Sequence, residues 1–161
     1  MKKFIIQFVL LIAVIGIAIF LLKQKPDITN LPFLPEQPVF KDLQINQVKL
    51  KVEVADTQKK RSKGLGGRES LASGEGMLFI LPKPDKYPFW MKGLSFPLDF
   101  VWISGEKIVD LLQNIQPPTP GQTDESLPIY QSKEDVDKVL EVAAGIVQRM
   151  NIKVGDTIKL E

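Results

Sequence analysis

Asp99 is the residue of this chain whose surroundings most favour chemistry. It is the only carboxylate in the segment 89–103, FWMKGLSFPLDFVWI, which also holds both tryptophans. A carboxylate in so apolar a segment costs several kcal/mol unless it is paired or protonated. Arg68 and Lys92 are plausible partners, because both lie beside glycine-permitted turns. The functional hypothesis is a charged pair at the mouth of a cleft, and the alternative is a buried salt bridge that fixes the register of a sheet.

Trp90 and Glu141 extend this candidate site. Trp90, with Trp102, would form the walls of the cleft and could stack on a sugar ring, although a buried tryptophan in a β core is commoner. Glu141 is a second carboxylate in an apolar segment. It would form a hydrolytic couple with Asp99 if the two carboxyl groups were about 5–10 Å apart across the cleft. The predicted ligand-binding residues are Arg68, Trp90, Lys92, Asp99 and Glu141.

The missing residue types restrict the chemistry further. The chain has no cysteine, which excludes disulfides, thiolate metal sites and cysteine nucleophiles. It has no histidine, which excludes Ser-His-Asp triads and histidine-ligated zinc. Asp124 and Glu125 could ligate calcium weakly, but a solvated loop is the simpler interpretation. No metal, cofactor or catalytic residue is therefore predicted, and the composition favours a protein that is not an enzyme.

The first 25 residues are predicted to be a membrane anchor. Phe4–Leu22 holds nineteen residues of which only Gln7 is polar. A helix of that length spans about 28 Å, close to the roughly 30 Å of a bilayer core. The alternative, a cleaved secretory signal, lacks a small-residue cleavage site, and the missing cysteine excludes a lipoprotein anchor. The simplest orientation places Met1 in the cytoplasm and the rest of the chain in an extracytoplasmic location.

The remainder divides into a linker and a soluble domain. Residues 26–42 contain four prolines without helical or strand periodicity, which predicts a semi-rigid spacer. Residues 43–161 form the predicted domain. The whole chain carries +2, but residues 26–161 hold 17 basic and 19 acidic side chains, or −2. This near-neutral charge, with KKRSK at 59–63 as the only basic cluster, predicts no nucleic-acid partner.

Hydrophobic patterns predict short strands that would position the candidate site. The segment 89–103 is predicted to hold two strands joined by a tight connection, with both faces of the second apolar as in a doubly covered strand. A short helix should run from Thr57 to about Lys63, with Asp56 as its cap and Gly64 at its end. The other predicted strands are Val48–Val54, Gly76–Leu81 ended by Pro82, and Lys107–Asn114 after a Ser-Gly turn, and the segment Lys153–Leu160 is predicted to be a turn and a last strand.

Three segments resemble the signature blocks of the domain-of-unknown-function 192 family, in the same order and spacing. They are GLGGRESLASGEGMLFIL, FWMKGLSFPLDFVWI and VLEVAAGIVQRMNIKVGDTIKL. The resemblance covers about Val48 to Leu160. It implies a β-rich α+β domain with a small, partly open barrel and short helices, often exported or membrane-tethered, with no established activity. The chain has Gly93-Leu94 where the family usually has Asn-Thr, and Gly66 where it has Met.

The C-terminal block shows pattern and resemblance in conflict. Apolar residues from Val136 to Met150 recur at helical spacing, which alone predicts one long helix. The resemblance instead implies a strand around Lys138–Val142 and a short helix from Ala144 to Met150. Gly145 favours an interruption. The second interpretation is the one adopted.

Three functions are compatible with these observations. The leading hypothesis is a membrane-anchored, extracytoplasmic binding or accessory module that recognises a small ligand, an envelope polymer or a partner protein beside Trp90 and Lys92. The second is a carboxylate-dependent hydrolase using Asp99 and Glu141. The third is a structural component that assists the assembly of an envelope complex.

Overall fold

The computed structural model describes residues 12, 14–17, 19, 20 and 37–161. The chain divides into two compact units, Met1–Gln37 and Pro38–Glu161. The described residues between 12 and 20 are helical. Within the described part of the chain, no helix has both the length and the apolar character needed to cross a membrane. Most of the predicted anchor and linker lies outside the described residues, so both stay predictions.

Residues 37–161 form seven strands with short helical segments between them. The strands are β1 Phe40–Ile45, β2 Val48–Ala55, β3 Glu75–Asp85, β4 Leu98–Ser104, β5 Lys107–Ile115, β6 Val136–Ala143 and β7 Ile158–Leu160. The helices are α1 Gln58–Lys63 and α2 Ile146–Arg149, with a single 3-10 turn at Asp124–Ser126.

The strands make one curled sheet in the order β5-β4-β6-β3-β2-β1-β7. All neighbouring pairs are antiparallel except β2 and β3. The two edges approach each other, because Thr157 immediately before β7 forms an isolated bridge with Lys107 at the start of β5. The β-rich, partly open barrel expected from the family resemblance is therefore confirmed.

The sheet has an apolar core on each face. The first, which we call the barrel core, receives buried side chains from all seven strands, including Leu43, Leu50, Leu78, Val101, Ile108, Leu140 and Ile158. The second, which we call the loop-covered core, lies on the other face beneath residues 87–96 and includes Met77, Phe79, Met91, Phe100, Trp102 and Val139. Strand β4 contributes to both cores, which explains why both of its faces are apolar.

The segment before β4 differs from the sequence prediction. Residues 89–92 do not form a strand, and Phe89 makes only an isolated bridge with Tyr130. The chain turns directly afterwards, where Leu94 N–H donates to Met91 O at 3.2 Å and Gly93 has φ +70°. Because Phe89 pairs with Tyr130 at one position and the chain then turns, residues 89–92 cannot form a continuous hydrogen-bonded ladder with a neighbouring strand.

Two further predictions are corrected near α1 and β3. Thr57, not Asp56, caps α1, because Thr57 Oγ1 accepts a hydrogen bond from Lys60 N–H at 3.2 Å. Strand β3 does not end at Pro82 but continues to Asp85. Its pairing with β6 is interrupted between Ile80 and Asp85. The prolines therefore occupy positions at which no ladder donor is required.

The folded unit begins earlier than the sequence indicates. Strand β1 starts at Phe40, and Val54 N–H donates to Val39 O at 2.8 Å. Residues 40–42, assigned from the sequence to the linker, thus belong to the sheet. Lys41, Asp42 and Gln44 interrupt the apolar residues of β1 without a regular alternation, which left little pattern to detect.

The C-terminal block follows the family resemblance and not the helical spacing. Strand β6 ends at Ala143, Gly145 adopts φ +83°, and α2 begins at Ile146. Gly145 tolerates this left-handed conformation because it has no side chain. The apolar residues on β6 are buried on both faces, so their spacing alone could not distinguish a strand from a helix.

Candidate functional site

Asp99 is fully buried in β4, and backbone amides satisfy its carboxylate. Asp99 Oδ1 accepts a hydrogen bond from Asn114 N–H at 2.8 Å. Asp99 Oδ2 accepts one from Val147 N–H at 3.0 Å. Such amide donors compensate for the loss of hydration that burial imposes on a carboxylate.

Local irregularities in the backbone supply these two donors. Strand β5 has a bulge opposite Asp99, where Gln113 and Asn114 face a single residue of β4. Asn114 has φ 55°, and its N–H is turned away from the regular ladder toward the carboxylate. Val147 lies in the first turn of α2, whose N-cap Gly145 has no side chain to offer. Asp99 therefore holds the bulge and the start of α2 in place.

The predicted partners of Asp99 are engaged elsewhere. Arg68 forms a salt bridge with Glu53 of β2. Lys92 forms a salt bridge with Asp124 at 2.5 Å, between two half-exposed side chains. The predicted pairing of Asp99 with Arg68 or Lys92 is therefore wrong. Asp99 lies on the barrel-core face of β4, where two backbone N–H groups donate to its carboxylate.

The buried carboxyls of the sheet also include Asp110 of β5 and Glu141 of β6, and the environment of Glu141 differs from that of Asp99. Glu141 occupies the middle of β6, directly opposite Met77 of β3 on one side and Phe100 of β4 on the other. Cross-strand neighbours share a face, so Glu141 projects with both of them toward the loop-covered core. Its exposed fraction is 4%. Burial raises the pKa of the Glu141 carboxyl from 4.5 to about 8.

The two carboxyl groups cannot act together. Asp99 is opposite Val142 in the pairing of β4 with β6, and Val142 points into the barrel core. Glu141, the preceding residue, points to the opposite face. The sheet therefore separates the carboxyl groups, and the hypothesis of a hydrolase that uses Asp99 with Glu141 is wrong.

Glu141 lines a cavity of about 510 Å³, which we call the Glu141 cavity. This volume lies in the range of small-molecule sites, about 300–1,000 Å³. Trp90 and Lys92 line the same cavity, whereas Arg68 and Asp99 do not. Three of the five predicted site residues are thus brought together. Trp102, predicted as a second wall, is fully buried in the loop-covered core and lies outside the lining.

Aromatic rings make up much of the cavity wall. Phe79, Tyr87, Phe89 and Trp90 all line it. Phe89 is held by an edge-to-face contact with Phe79, with ring centroids 5.2 Å apart, and by another with Trp102 at 5.3 Å. These contacts fix the wall, since such ring pairs add to the stability gained from burial. Trp90 is 51% exposed and lies at the solvent side.

A second part of the wall is backbone without side chains. Gly64, Gly66, Gly67 and Gly93 line the cavity. Gly67 N–H donates to Gly93 O at 2.8 Å, which joins the two glycine turns. Gly67 and Gly93 both have positive φ, a conformation that glycine adopts without strain. Gly66, Gly93 and Leu94, where the chain departs from the family pattern, all line the cavity.

Cations surround the cavity, in contrast with its buried acid. Arg61 and Lys63 of α1 line it together with Lys92. Arg61 Nη1 donates to Asp56 O at 2.7 Å and to Ile80 O at 2.9 Å, which ties α1 to β3. None of the residues within 37–161 donates a hydrogen bond to the Glu141 carboxyl or pairs with it. Glu141 is therefore a buried acid that does not pair with the cations lining the same cavity.

Several lining residues were not predicted from the sequence. Phe79 had only the signal of an apolar strand residue, and Tyr87 lay between two predicted strands with no signal of its own. The cluster 59–63 was interpreted as a solvated face, although Arg61 and Lys63 line the cavity. The weak signal that was present is Glu141 itself, one acid in the apolar run VLEV. In the described part of the chain, no group of acidic residues is arranged to hold a metal ion.

Comparisons with known proteins agree with this fold. The family model described as DUF192, Uncharacterized ACR, matches residues 41–160. No curated protein matches the chain. Among solved structures, the chain is similar to a proposed transcription regulator from Sinorhizobium meliloti, with 27% identity and a TM-score of 0.68. That alignment covers 77% of this chain and 95% of the other.

A second similar structure is a protein of unknown function from Novosphingobium aromaticivorans. It shares 26% identity with this chain, at a TM-score of 0.65. The alignment covers 80% of this chain and 89% of the other. Both neighbours are matched over most of their length, so the half-barrel forms nearly the whole of each of them.

Proposed function

This chain belongs to the DUF192 family of uncharacterised proteins, and we propose that it is a small-molecule binding module, held by an N-terminal anchor at the outer side of a membrane. The bound compound occupies the Glu141 cavity. The ring of Trp90 packs on the apolar part of the compound, and Glu141 pairs with a polar group at the base of the cavity. Lys92 contacts the compound from the rim, by which we mean the lining cations Arg61, Lys63 and Lys92.

The observation that carries this proposal is the buried Glu141 carboxyl in the wall of a cavity of ligand size. An acid without a partner weakens a fold, since its desolvation is not compensated. Glu141 therefore lowers the stability of the empty protein without a compensating contact in the core. A ligand with a complementary group would pair with its carboxyl. A pocket with apolar walls and a few polar groups that converge is the usual form of a binding site.

The anchor rests on the sequence. The segment Phe4–Leu22 is apolar over nineteen residues, and the described residues within it are helical. Lysines flank the segment on both sides. A folded unit of this size after a short N-terminal anchor is most simply placed outside the cytoplasm.

The description of the Sinorhizobium protein as a regulator concerns that protein. Residues 26–161 of this chain carry −2. Nucleic-acid binding depends on basic groups that neutralise phosphates. A small-molecule site is the better supported role for this chain.

Binding is tested with tryptophan as the reporter. The chain has two tryptophans, of which Trp90 lines the cavity and Trp102 is fully buried outside it. Incorporation of 5-fluorotryptophan into the full chain, in phosphatidylglycerol nanodiscs, gives one ¹⁹F signal for each. Benzylammonium, benzyl alcohol and benzoate are then titrated as rings of similar size and different charge. We expect a saturable shift of the Trp90 signal with at least one of them.

Trp102 is the internal control in this experiment. Its signal should stay in place, because its ring packs in the loop-covered core. If none of the three compounds moves the Trp90 signal, or if both signals move together without saturation, the Glu141 cavity is not a binding site and the proposal is rejected.

The membrane topology is tested separately, using the absence of native cysteine. A cysteine at Val154, which is 58% exposed, should react with a membrane-impermeant maleimide in intact cells. A cysteine at Lys3 should react only after lysis. The opposite pattern would place the folded unit in the cytoplasm.

A further inference from the structure

Glu141 limits the chemistry of what the cavity can bind. The residue is 4% exposed, it lies between Met77 and Phe100, and its carboxyl has no partner among residues 37–161. A buried carboxylate is stabilised best by a positive charge or by several hydrogen-bond donors. The cations that line the cavity do not pair with it, so the complementary charge has to come from the ligand.

The aromatic walls favour the same kind of ligand. Phe79, Tyr87, Phe89 and Trp90 surround the space into which Glu141 faces. The faces of aromatic rings carry negative potential and attract cations, and such aromatic cages recognise methylated ammonium groups. An apolar wall combined with one acid fits an ammonium group that carries carbon substituents better than it fits a small hydrated ion.

The rim carries the opposite charge. Arg61, Lys63 and Lys92 line the cavity, and the side chains of Lys92 and Asp124 in their salt bridge are 54% and 59% exposed. An exposed pair of this kind contributes little and exchanges readily with a competing anion. A ligand with a positive end inside and a negative end outside would match both parts of the cavity.

We infer that the Glu141 cavity binds a small zwitterionic organic ammonium compound, with the ammonium group against Glu141 and the aromatic rings and the anionic group at Lys92 and the rim. This inference rests on the proposed function, because it names the ligand class of the same cavity. A free solute and the headgroup of a lipid can both provide this chemistry.

The affinity for such a ligand should depend on pH. The titratable or charged side chains that line the cavity besides Glu141 are Arg61 and Lys63 of α1, Tyr87 after β3, and Lys92. Because burial raises the pKa of Glu141 to about 8, the carboxyl is mostly protonated at neutral pH in the empty cavity. A permanent cation binds the ionised form, so binding releases a proton and strengthens as the pH rises through 8.

The test uses choline, phosphocholine and 3,3-dimethylbutan-1-ol, which is the uncharged isostere of choline. Their affinities are measured by the ¹⁹F shift of Trp90 in the full chain, in phosphatidylglycerol nanodiscs, which contain no choline. We expect phosphocholine to bind about five-fold more tightly than choline, and choline at least ten-fold more tightly than the alcohol. Between pH 7 and pH 9 the affinity for choline should rise about ten-fold.

Glu141→Gln provides the matched variant, because it keeps the size of the side chain and removes its ionisation. In this variant the preference for choline over the alcohol should fall to about two-fold or less, and the pH dependence should disappear. Unfolding in urea checks that the variant is folded. Equal binding of choline and its isostere to the wild type, or an unchanged preference in Glu141→Gln, overturns the inference.

The outcomes separate this inference from the proposed function. If benzyl alcohol or benzoate moves the Trp90 signal but no ammonium compound does, the cavity binds small molecules and the inferred ligand class is wrong. Exchanging phosphatidylglycerol for phosphatidylcholine in the nanodisc distinguishes the two sources. A shift of the Trp90 signal without added solute identifies a lipid headgroup, and a shift only with added phosphocholine identifies a free solute.

Discussion

Asp99 and Glu141 are two buried acids on neighbouring strands with opposite environments. Asp99 accepts hydrogen bonds from two backbone amides within the barrel core. Glu141 has Met77 and Phe100 beside it, lines a cavity, and receives no hydrogen bond from residues 37–161. This difference assigns a structural role to Asp99 and a candidate binding role to Glu141. An acid that the fold satisfies holds the fold together, and an acid that the fold leaves unsatisfied is available to a ligand.

The sheet itself produces this difference. Asp99 and Glu141 are one residue out of phase in the pairing of β4 with β6, so their side chains leave opposite faces. On one face lie the bulge of β5 and the start of α2, which present free N–H groups. On the other lie the edge-to-face rings and the glycine turns, which present few donors to the carboxyl.

The largest effect should follow from removing Asp99. Asp99→Ala leaves the N–H groups of Asn114 and Val147 buried without acceptors, and we expect a loss of about 2–5 kcal/mol in the free energy of unfolding. Urea denaturation measures it. Asp99→Asn, which retains one acceptor oxygen, should lose roughly half as much. If Asp99→Ala were as stable as the wild type, the structural role given to this acid would be wrong.

The pH dependence of the free energy of unfolding should report the raised pKa of the Glu141 carboxyl. The unfolded state releases the Glu141 proton near its ordinary pKa of 4.5, and the folded state holds it until about pH 8. The folded state therefore binds the extra proton in between, and stability falls as the pH rises. The contribution lost between pH 5 and pH 8 is on the order of 3 kcal/mol.

Glu141→Gln is the comparison for this titration. It lacks the ionisable group, so it should lose less stability over the same pH range and exceed the wild type at pH 8. Urea denaturation at four pH values between 5 and 8 measures both proteins. Parallel curves would mean that Glu141 ionises normally in the folded state, and the contrast with Asp99 would disappear.

Trp90 should affect binding and leave stability nearly unchanged. Trp90→Ala removes an exposed ring from the cavity, and we expect about a ten-fold loss of affinity for phosphocholine in calorimetry. Ile129→Ala is the matched control. Ile129 is 63% exposed and immediately precedes Tyr130 of the Phe89–Tyr130 bridge, but it does not line the cavity. Equal losses in the two variants would show that general surface hydrophobicity, and not the cavity, controls binding.

The smallest effects should come from the cations first expected to pair with Asp99. Arg68→Ala should cost about 1 kcal/mol through its partly buried contact with Glu53, and Lys92→Ala less than about 0.5 kcal/mol. Each should add to Asp99→Ala without coupling, because they share no contact with Asp99. A coupling energy above about 1 kcal/mol in a double-mutant cycle would restore the ion pair that the structure replaces with amides.

Much of the fold follows from local pattern. Two strands are indicated by side-chain burial, through the alternation in Val48–Val54 and the apolar run of β4. The end of β6 is indicated by the glycine after it, because glycine adopts a backbone conformation that other residues avoid. Local pattern was less informative at β1, whose polar residues do not alternate regularly, and at β3, where prolines occupy unpaired positions of a strand. It also failed at residues 89–92, where a turn replaces the expected strand.

The sequence by itself determined that two acids lie in apolar strands, that cysteine and histidine chemistry is impossible, and that the N-terminal segment is apolar. Only the tertiary structure decided which acid is satisfied and which faces a cavity. The reason is physical. The partners of a carboxyl in a sheet come from neighbouring strands, bulges and helix starts that are distant in sequence, and a shift of one residue along the strand exchanges one set of partners for another.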